Sequence, residues 1–324
     1  MAIIQGQGSK LQIGLESTWG TKVAPTVNIG YTSESMKWIP NYKAEDTLVG
    51  GITTGKMEKF GTKVEGDVNL IVHPDTIGWL LWEHFGAEGN ATAAGSAYYH
   101  DFTHVAAGTA TSLPKFTMVI DRIVSTYAFV SCKSDTLKLS AKVNDYLRAT
   151  FSLRGHSEVG STIVSLTDST TRALKFHHAT ISIGGTATAD ITGFDLTDSN
   201  ALDNDHFVAN GSAYMAEIEP GARSITATCD VLWDATQAGF RSSYFVAGTP
   251  CSAVITFTSD EMVGGTDPYK LVITLPNCYI TDSSPVVSGP DRITYSISLT
   301  ATHQSSTTPI TVRVYDGRST KYSA

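Results

Sequence analysis

Basic charge is scarce in this sequence. Lysine and arginine number 23 against 31 aspartates and glutamates in 324 residues, a formal net charge of −8. No cationic run is long enough to neutralise a row of phosphates, so tight nucleic-acid binding is not expected. Long apolar runs are missing too. No window approaches the roughly 18 apolar residues of a membrane span, and the opening MAIIQGQGSKLQIG has neither the basic start nor the apolar stretch of a secretory leader. A chain made and kept in the cytosol is the expectation. Cysteine is rare: Cys132, Cys229, Cys251 and Cys278 show no CxxC pair and no histidine at metal-ligand spacing. They read as buried free thiols.

The spacings that place a nucleophile, cradle a phosphate or hold zinc (GxSxG, GxxxxGK[ST], HExxH) are all absent. The sequence therefore points to no enzyme, cofactor or metal. Weaker candidates dissolve on inspection. His100, Asp101 and His104 in HDFTH would converge only on a helix, and their Gly, Ala, Thr and Tyr surroundings are not helical. His177 and His178 would point to opposite faces of a strand. Trp79 and Trp82 read as packing residues, and the NAT at 90–92 carries no weight without an export signal.

What is abundant is alternation. In LRATFSLRG, Leu147, Ala149, Phe151 and Leu153 share one face against Arg148, Thr150, Ser152 and Arg154. In RITYSISLT, Ile293, Tyr295, Ile297 and Leu299 do the same against Arg292, Thr294, Ser296 and Ser298. Both are strands with one wet side. They are also copies: an offset of 146 carries Asp145 to Asp291, Phe151 to Ile297 and, without a gap, Cys132 to Cys278.

A second block repeats at an offset of 159. VEGDVNLIVHPDTIGWLLWEHFG is a strand leading into a helix, with Asp75 as expected N-cap, a core face of Ile77, Leu80, Leu81, His84 and Phe85, and Gly86 as stop. ITATCDVLWDATQAGFRSSYFVAG repeats the plan more weakly, with Gly239 inside its helix. Before each block lies a polar, glycine-bearing excursion longer than a compact domain needs, starting at Asn41 and at Asn200. The chain thus reads as a duplicated unit, residues 1–160 and 161–324, with the boundary inside 156–172. The two offsets differ because the first copy carries an insertion, read as turn-rich, over 87–114.

The stretch QIGLESTWGTKVAP, residues 12–25, resembles the beginning of tail tube proteins (major tail proteins) of long-tailed bacteriophages of the siphovirus type, where G-x-E-S-x-[WY]-G-T precedes a small apolar segment. GTKVEGDVNLIVHPDTIGWLLWEHFG resembles the same family's strand followed by a glycine-terminated helix. The resemblance implies a mainly β fold, a β-sandwich or β-barrel with one helix per repeat. It also implies trimeric, pseudo-hexameric rings stacked into a hollow tube through which double-stranded DNA passes. Partners would be the chain itself and the tape measure, tail tip and terminator proteins, in a virion tail assembled in the host bacterial cytoplasm, with no cofactor and no membrane insertion.

By that resemblance the excursions 41–58 and 200–216 contact the neighbouring ring, with Asp46, Thr47, Leu48 and Val49 in the first and Asp205, His206, Phe207 and Val208 in the second as candidates. DNA must slide without sticking, so the lumen should be polar and short of cations. Glu65, Asp67, Thr226, Thr228 and Asp230 are the lumen candidates. Lys63, Arg148 and Arg154 stand against a purely acidic lining and are assigned to subunit seams. The closing stretch 305–324 is read as an extra strand joining subunits. The competing readings are a terminator or baseplate hub, which shares the fold without polymerising, and a β-rich adhesin or carbohydrate-binding module, which calls for an export signal and aromatic residues on an exposed sheet face.

Overall fold

The computed structural model describes residues 5–47, 55–105, 112–188, 190–287, 289–304 and 307–323. Its first half holds β1 (Lys10–Glu16), β2 (Val27–Ile29), β3 (Ser33–Glu34), β4 (Lys37–Ala44) and β5 (Met57–Ile71), then helix α1 (Ile77–Phe85). The segment read as a turn-rich insertion is largely strand: β6 (Gly86–Glu88), β7 (Thr92–Ala94) and β8 (Ala97–His104). There follow β9 (Lys115–Asp121), β10 (Thr126–Lys142), β11 (Arg148–Gly155) and β12 (Ser157–Gly160). The second half holds β13 (Ala179–Ile183), β14 (Thr186–Thr188), β15 (Ile191–Ser199), β16 (Ser224–Leu232) and helix α2 (Ala235–Phe240). It ends with β17 (Cys251–Val263), β18 (Asp267–Ser283), β19 (Thr294–Ala301) and β20 (Thr311–Asp316).

Every ladder between these strands is antiparallel, and the two halves pair in the same order. In the first, β9 lies between β1 and β10, β1 also pairs with β2, and β10 runs on to pair with β11, which pairs with β5. In the second, β17 lies between β13 and β18, β13 also pairs with β14, and β18 runs on to pair with β19, which pairs with β16. The 17-residue β10 serves two layers. Its register shifts between Phe129 and Cys132 and again between Ser134 and Thr136, with Ser131 at φ 54. Bulges of this kind bend a strand from one layer into the next.

Two ladders cross residue 160. The end of β10 pairs with β15 over Thr136–Lys142. One continuous inner sheet results, in the order β3/β4, β5, β11, β10, β15, β16, β19, β18. The other crossing is β8 with β20, which in turn pairs with β18. The terminal strand expected to join subunits therefore joins two parts of its own chain. Tyr322 beyond it is fully buried, its ring edge-on to Trp79 at 5.1 Å.

The alternation in the sequence accounts for the core. Val64, Val68 and Leu70 of β5, Ala149, Phe151 and Leu153 of β11, and Tyr295, Ile297 and Leu299 of β19 all turn inward and are buried. Burying one such large side chain is worth about 1.5–3 kcal/mol. The face predicted for α1 is buried as well: Ile77, Leu80, Leu81, His84 and Phe85 all lie inside. Gly86 stops the helix at φ +81, and a Cβ there would meet Val105 at 2.5 Å.

Asp75 does not cap α1. The helix starts after Thr76 without a side-chain cap, and the Asp75 carboxylate instead accepts from the hydroxyls of Ser169 and Thr171. It thereby pins the segment between the halves. Asp234 does cap α2, accepting from the Gln237 amide at 2.8 Å. α2 then continues as a π-helical turn, Arg241–Val246. All four cysteines are buried free thiols, as expected.

Candidate assembly surfaces

The wet face of the inner sheet carries the residues singled out for a lumen. Glu65 and Asp67 on β5 alternate with Val64 and Val68, while Thr226, Thr228 and Asp230 on β16 alternate with buried Ala227, Cys229 and Val231. Between β5 and β16 lie β11, β10 and β15, so this face also carries Arg154, Arg148, Lys138 and Asp195.

The arginines do not stand at the sheet's edges. Both are on β11, one strand in from β5. Arg154 reaches Glu65 at 2.9 Å and Asp135 at 3.3 Å, and Arg148 reaches Asp145 at 3.0 Å. Lys138 reaches Asp195 at 3.6 Å. Partly exposed pairs like these contribute little stability, and Lys142, exposed on the same face at the end of β10, has no ion pair among the described residues. Asp67 and Asp230 accept hydroxyls from Ser152 and Ser296 and have no ion pair among the described residues.

The two excursions differ. The first is a hairpin arm: β4 and β5 stay paired out to Ala44 and Met57, and Tyr42, Met57 and Phe60 are exposed. Asp46 and Thr47 are exposed near its tip, while Leu48 and Val49 lie outside the described residues. The second excursion forms no strand and is bound down onto the first half of the same chain. Leu202, Met215 and Ile218 close a small core with Leu113, against which Trp19 packs. The indole of Trp19 donates to the Met215 carbonyl at 3.1 Å.

Lys133, fully buried, anchors this arrangement. Its ammonium donates to Ser112 Oγ (2.7 Å), the Ile218 carbonyl (2.7 Å) and Glu217 Oε1 (3.1 Å). Burial would push the Glu217 carboxyl up, but hydrogen bonds from Ser112 and Lys115 and the charge of Lys133 bring it down to about 2. Burial pulls the Lys133 amine down, opposed by Glu217.

Of the second-arm candidates, Asp205 and Phe207 lie against β5 of their own chain, and His206 is tied within the excursion. Asp205 is 3.7 Å from Lys63, and the His206 ring bonds the Glu217 carbonyl. Phe207 covers Gly61, where a Cβ would come within 2.6 Å of the ring. Phe207 and Val208 keep 40% and 42% of their surface exposed, enough for a further contact.

A profile of the phage tail tube protein family matches residues 6–301. The chain belongs to that family. No curated protein matches it. The mainly β fold agrees with the membership, which gives the chain a structural role in a virion tail, in association with itself and with other tail proteins. No described helix is long and apolar enough to cross a membrane.

In this tail tube protein the residues of HDFTH do not gather into one site. His100, Asp101 and His104 lie on a strand and go separate ways: His100 to Glu88 at 3.0 Å, Asp101 to Arg313, and His104 to Asp198 at 2.8 Å. Asp198 is buried where β15 meets β10. Burial opposes its charge, but hydrogen bonds from His104 and His84 hold its pKa at about 2.

His177 and His178 are not on a strand, as the sequence suggested, but in a 3-10 turn with ring centroids 4.6 Å apart. With Asp260 they form a group compact enough for one ion. However, His178 Nδ1 accepts the Lys175 amide, which leaves the proton on Nε2, the atom facing Asp260 at 3.1 Å. Ligation through Nε2 would need the other tautomer and would cost the bond from the Lys175 amide.

Proposed function

We propose that three copies of this chain close a pseudo-hexameric ring and that such rings stack into the hollow tube of a long-tailed phage. The observation that carries the reading is the ladder between β10 and β15. It joins the two halves head to tail, so the inner sheet ends in two unlike edges. A head-to-tail joint that is not self-complementary propagates until rotation closes it. The matching pairing order of the halves supports treating them as one unit duplicated, residues 1–160 and 161–324, so that three chains supply six units.

In that ring the wet face of the inner sheet lines the lumen, with Glu65, Asp67, Thr226, Thr228 and Asp230 turned toward passing double-stranded DNA. Cations mostly paired with carboxylates, beside the unpaired carboxylates of Asp67 and Asp230, suit a wall that a polyanion slides along. The first arm and the exposed side of Phe207 and Val208 contact the neighbouring ring. Assembly takes place in the host cytoplasm, around a tape measure and between tail tip and terminator.

Negative-stain electron microscopy of the concentrated protein tests this. Hollow tubes with a regular axial repeat and three chains per ring are the expected result. Closed single rings that never stack, even with tail-tip complexes added, would place the chain among the non-polymerising tail parts instead.

A further inference from the structure

The joint inside the chain is a template for the joint between chains, and it specifies a register. In it, Leu139 of β10 faces Leu196 of β15 and Ala141 faces Phe194. The offset of 146 maps β10 onto β18 residue by residue: the pairs Thr136–Ser152 and Leu137–Phe151 become Asp282–Ser298 and Ser283–Ile297, both of which are formed. There the likeness stops. β10 continues in ladders to Lys142, whereas residues 284–287 form no ladder among the described residues, and Val286 and Val287 are 70% and 71% exposed. Val286 and Val287 are thus adjacent exposed apolar side chains just beyond the end of β18.

The opposite edge is equally legible. Leu196 lies across from Ala227, and Glu34 lies across from Val68, which is Ala227 shifted back by 159. Residues 31–37 thus stand where 193–199 stand in the second half, and among the described residues their ladders are with β5, while Arg122 holds the Glu34 carboxylate and the Met36 carbonyl.

A pair of clefts points the same way. One, of about 430 Å³, is walled by Ile181, Thr188, Phe194 and, from β10, Ala141. Its counterpart, of about 590 Å³, is walled by Leu11, Ile29 and Thr32, with Leu11 paired to Ile29 as Ile181 is to Thr188. It has no residue in the place of Ala141. The offset of 146 puts Val287 there.

We infer that residues 284–287 of one copy add as a strand to residues 31–37 of the next, with Val286 opposite Ser33 and Val287 opposite Thr32. The inference rests on the ring reading above and names the contact that closes it. Val287 then walls the cleft beside Leu11 and Ile29. The Ser283 carbonyl is already taken by Arg241 Nε at 3.1 Å, so the new pairing begins at residue 284. Pro285 removes one amide from the ladder, which leaves the apolar contact of Val287 as its main anchor.

The test is a disulfide pair, Val286→Cys with Ser33→Cys, oxidised in assembled protein and read on a non-reducing gel. Covalent dimers and trimers are expected, at least ~10-fold more than from Val286→Cys with Lys37→Cys, four residues out of register and ~13 Å away along the strand. Rings or tubes seen by microscopy without this preference would overturn the register and leave the ring reading standing. No rings, no tubes and no interchain link at any concentration would remove both. Val287→Asp provides a second readout. It should abolish ring formation while the monomer melts as before, and rings formed by that variant as readily as by the parent would refute the contact.

Discussion

The two polar excursions begin 159 residues apart, at Asn41 and Asn200, yet they have different structures. The first stands out as a two-stranded hairpin held by its own ladder, with cation–π contacts of Lys43 over Phe60 and Lys59 over Trp38 along it. The second gives up strand structure and is clamped by a buried lysine that belongs to the other half. Segments that begin at a fixed sequence offset need not have matching neighbours. The second excursion has the first half of its own chain to lie on, whereas the first stands on its own ladder with Tyr42, Met57 and Phe60 exposed.

That contrast can be broken most severely by shortening the first arm. Deletion of residues 44–55 removes no described core residue, so the protein should fold and melt almost unchanged, yet form no tubes. Tubes of normal length from the deletion would show that the arm does not join rings.

Next in size is Lys133→Met, which keeps the bulk of the side chain and removes the charge. It leaves the Ile218 carbonyl without its donor and Glu217 with only Ser112 and Lys115, a loss on the order of 2–3 kcal/mol. Limited proteolysis should then cut within 203–214 several-fold faster and leave the first arm's cleavage rate as it was. Equal acceleration at both arms would mean that the clamp acts globally.

The smallest effect is set by pH. Glu217 is depressed to about 2 from an ordinary 4.5, so its contribution is complete above pH 4.5 and is lost as pH falls through about 2. Pepsin cleavage in the second excursion should therefore rise across that window, relative to cleavage in the first arm, whose Lys56–Glu58 pair is exposed to solvent. A constant ratio from pH 4.5 to 2 would separate the clamp from Glu217's charge.

Much of this fold could be read from the residues because β-strands write their burial into a period of two. Phe151 and Ile297, or Val68 and Ala227, reveal both their face and their kinship without coordinates. The core face of α1 and its stop at Gly86 were legible for similar local reasons. What escaped was set by partners distant in sequence. Nothing near Lys133 announces Glu217, 84 residues on, and nothing near Asp75 announces Ser169 and Thr171. His177 and His178 were misplaced because a 3-10 turn of three residues has no period to detect. The strands of the insertion were missed because Gly, Ala and Thr outnumber large apolar side chains there, although the alternation of buried His100, Phe102 and His104 on β8 is present in outline.

The long strands β10 and β18 have a mechanical consequence. Each passes unbroken from an outer layer into the inner sheet, so a pull or twist applied to the inner wall reaches the outside of the molecule along covalent bonds instead of across a packed interface. Within each sheet the hydrogen bonds run crosswise to these strands and share a lengthwise load in parallel, the arrangement in which many weak bonds must fail together before any strand slides.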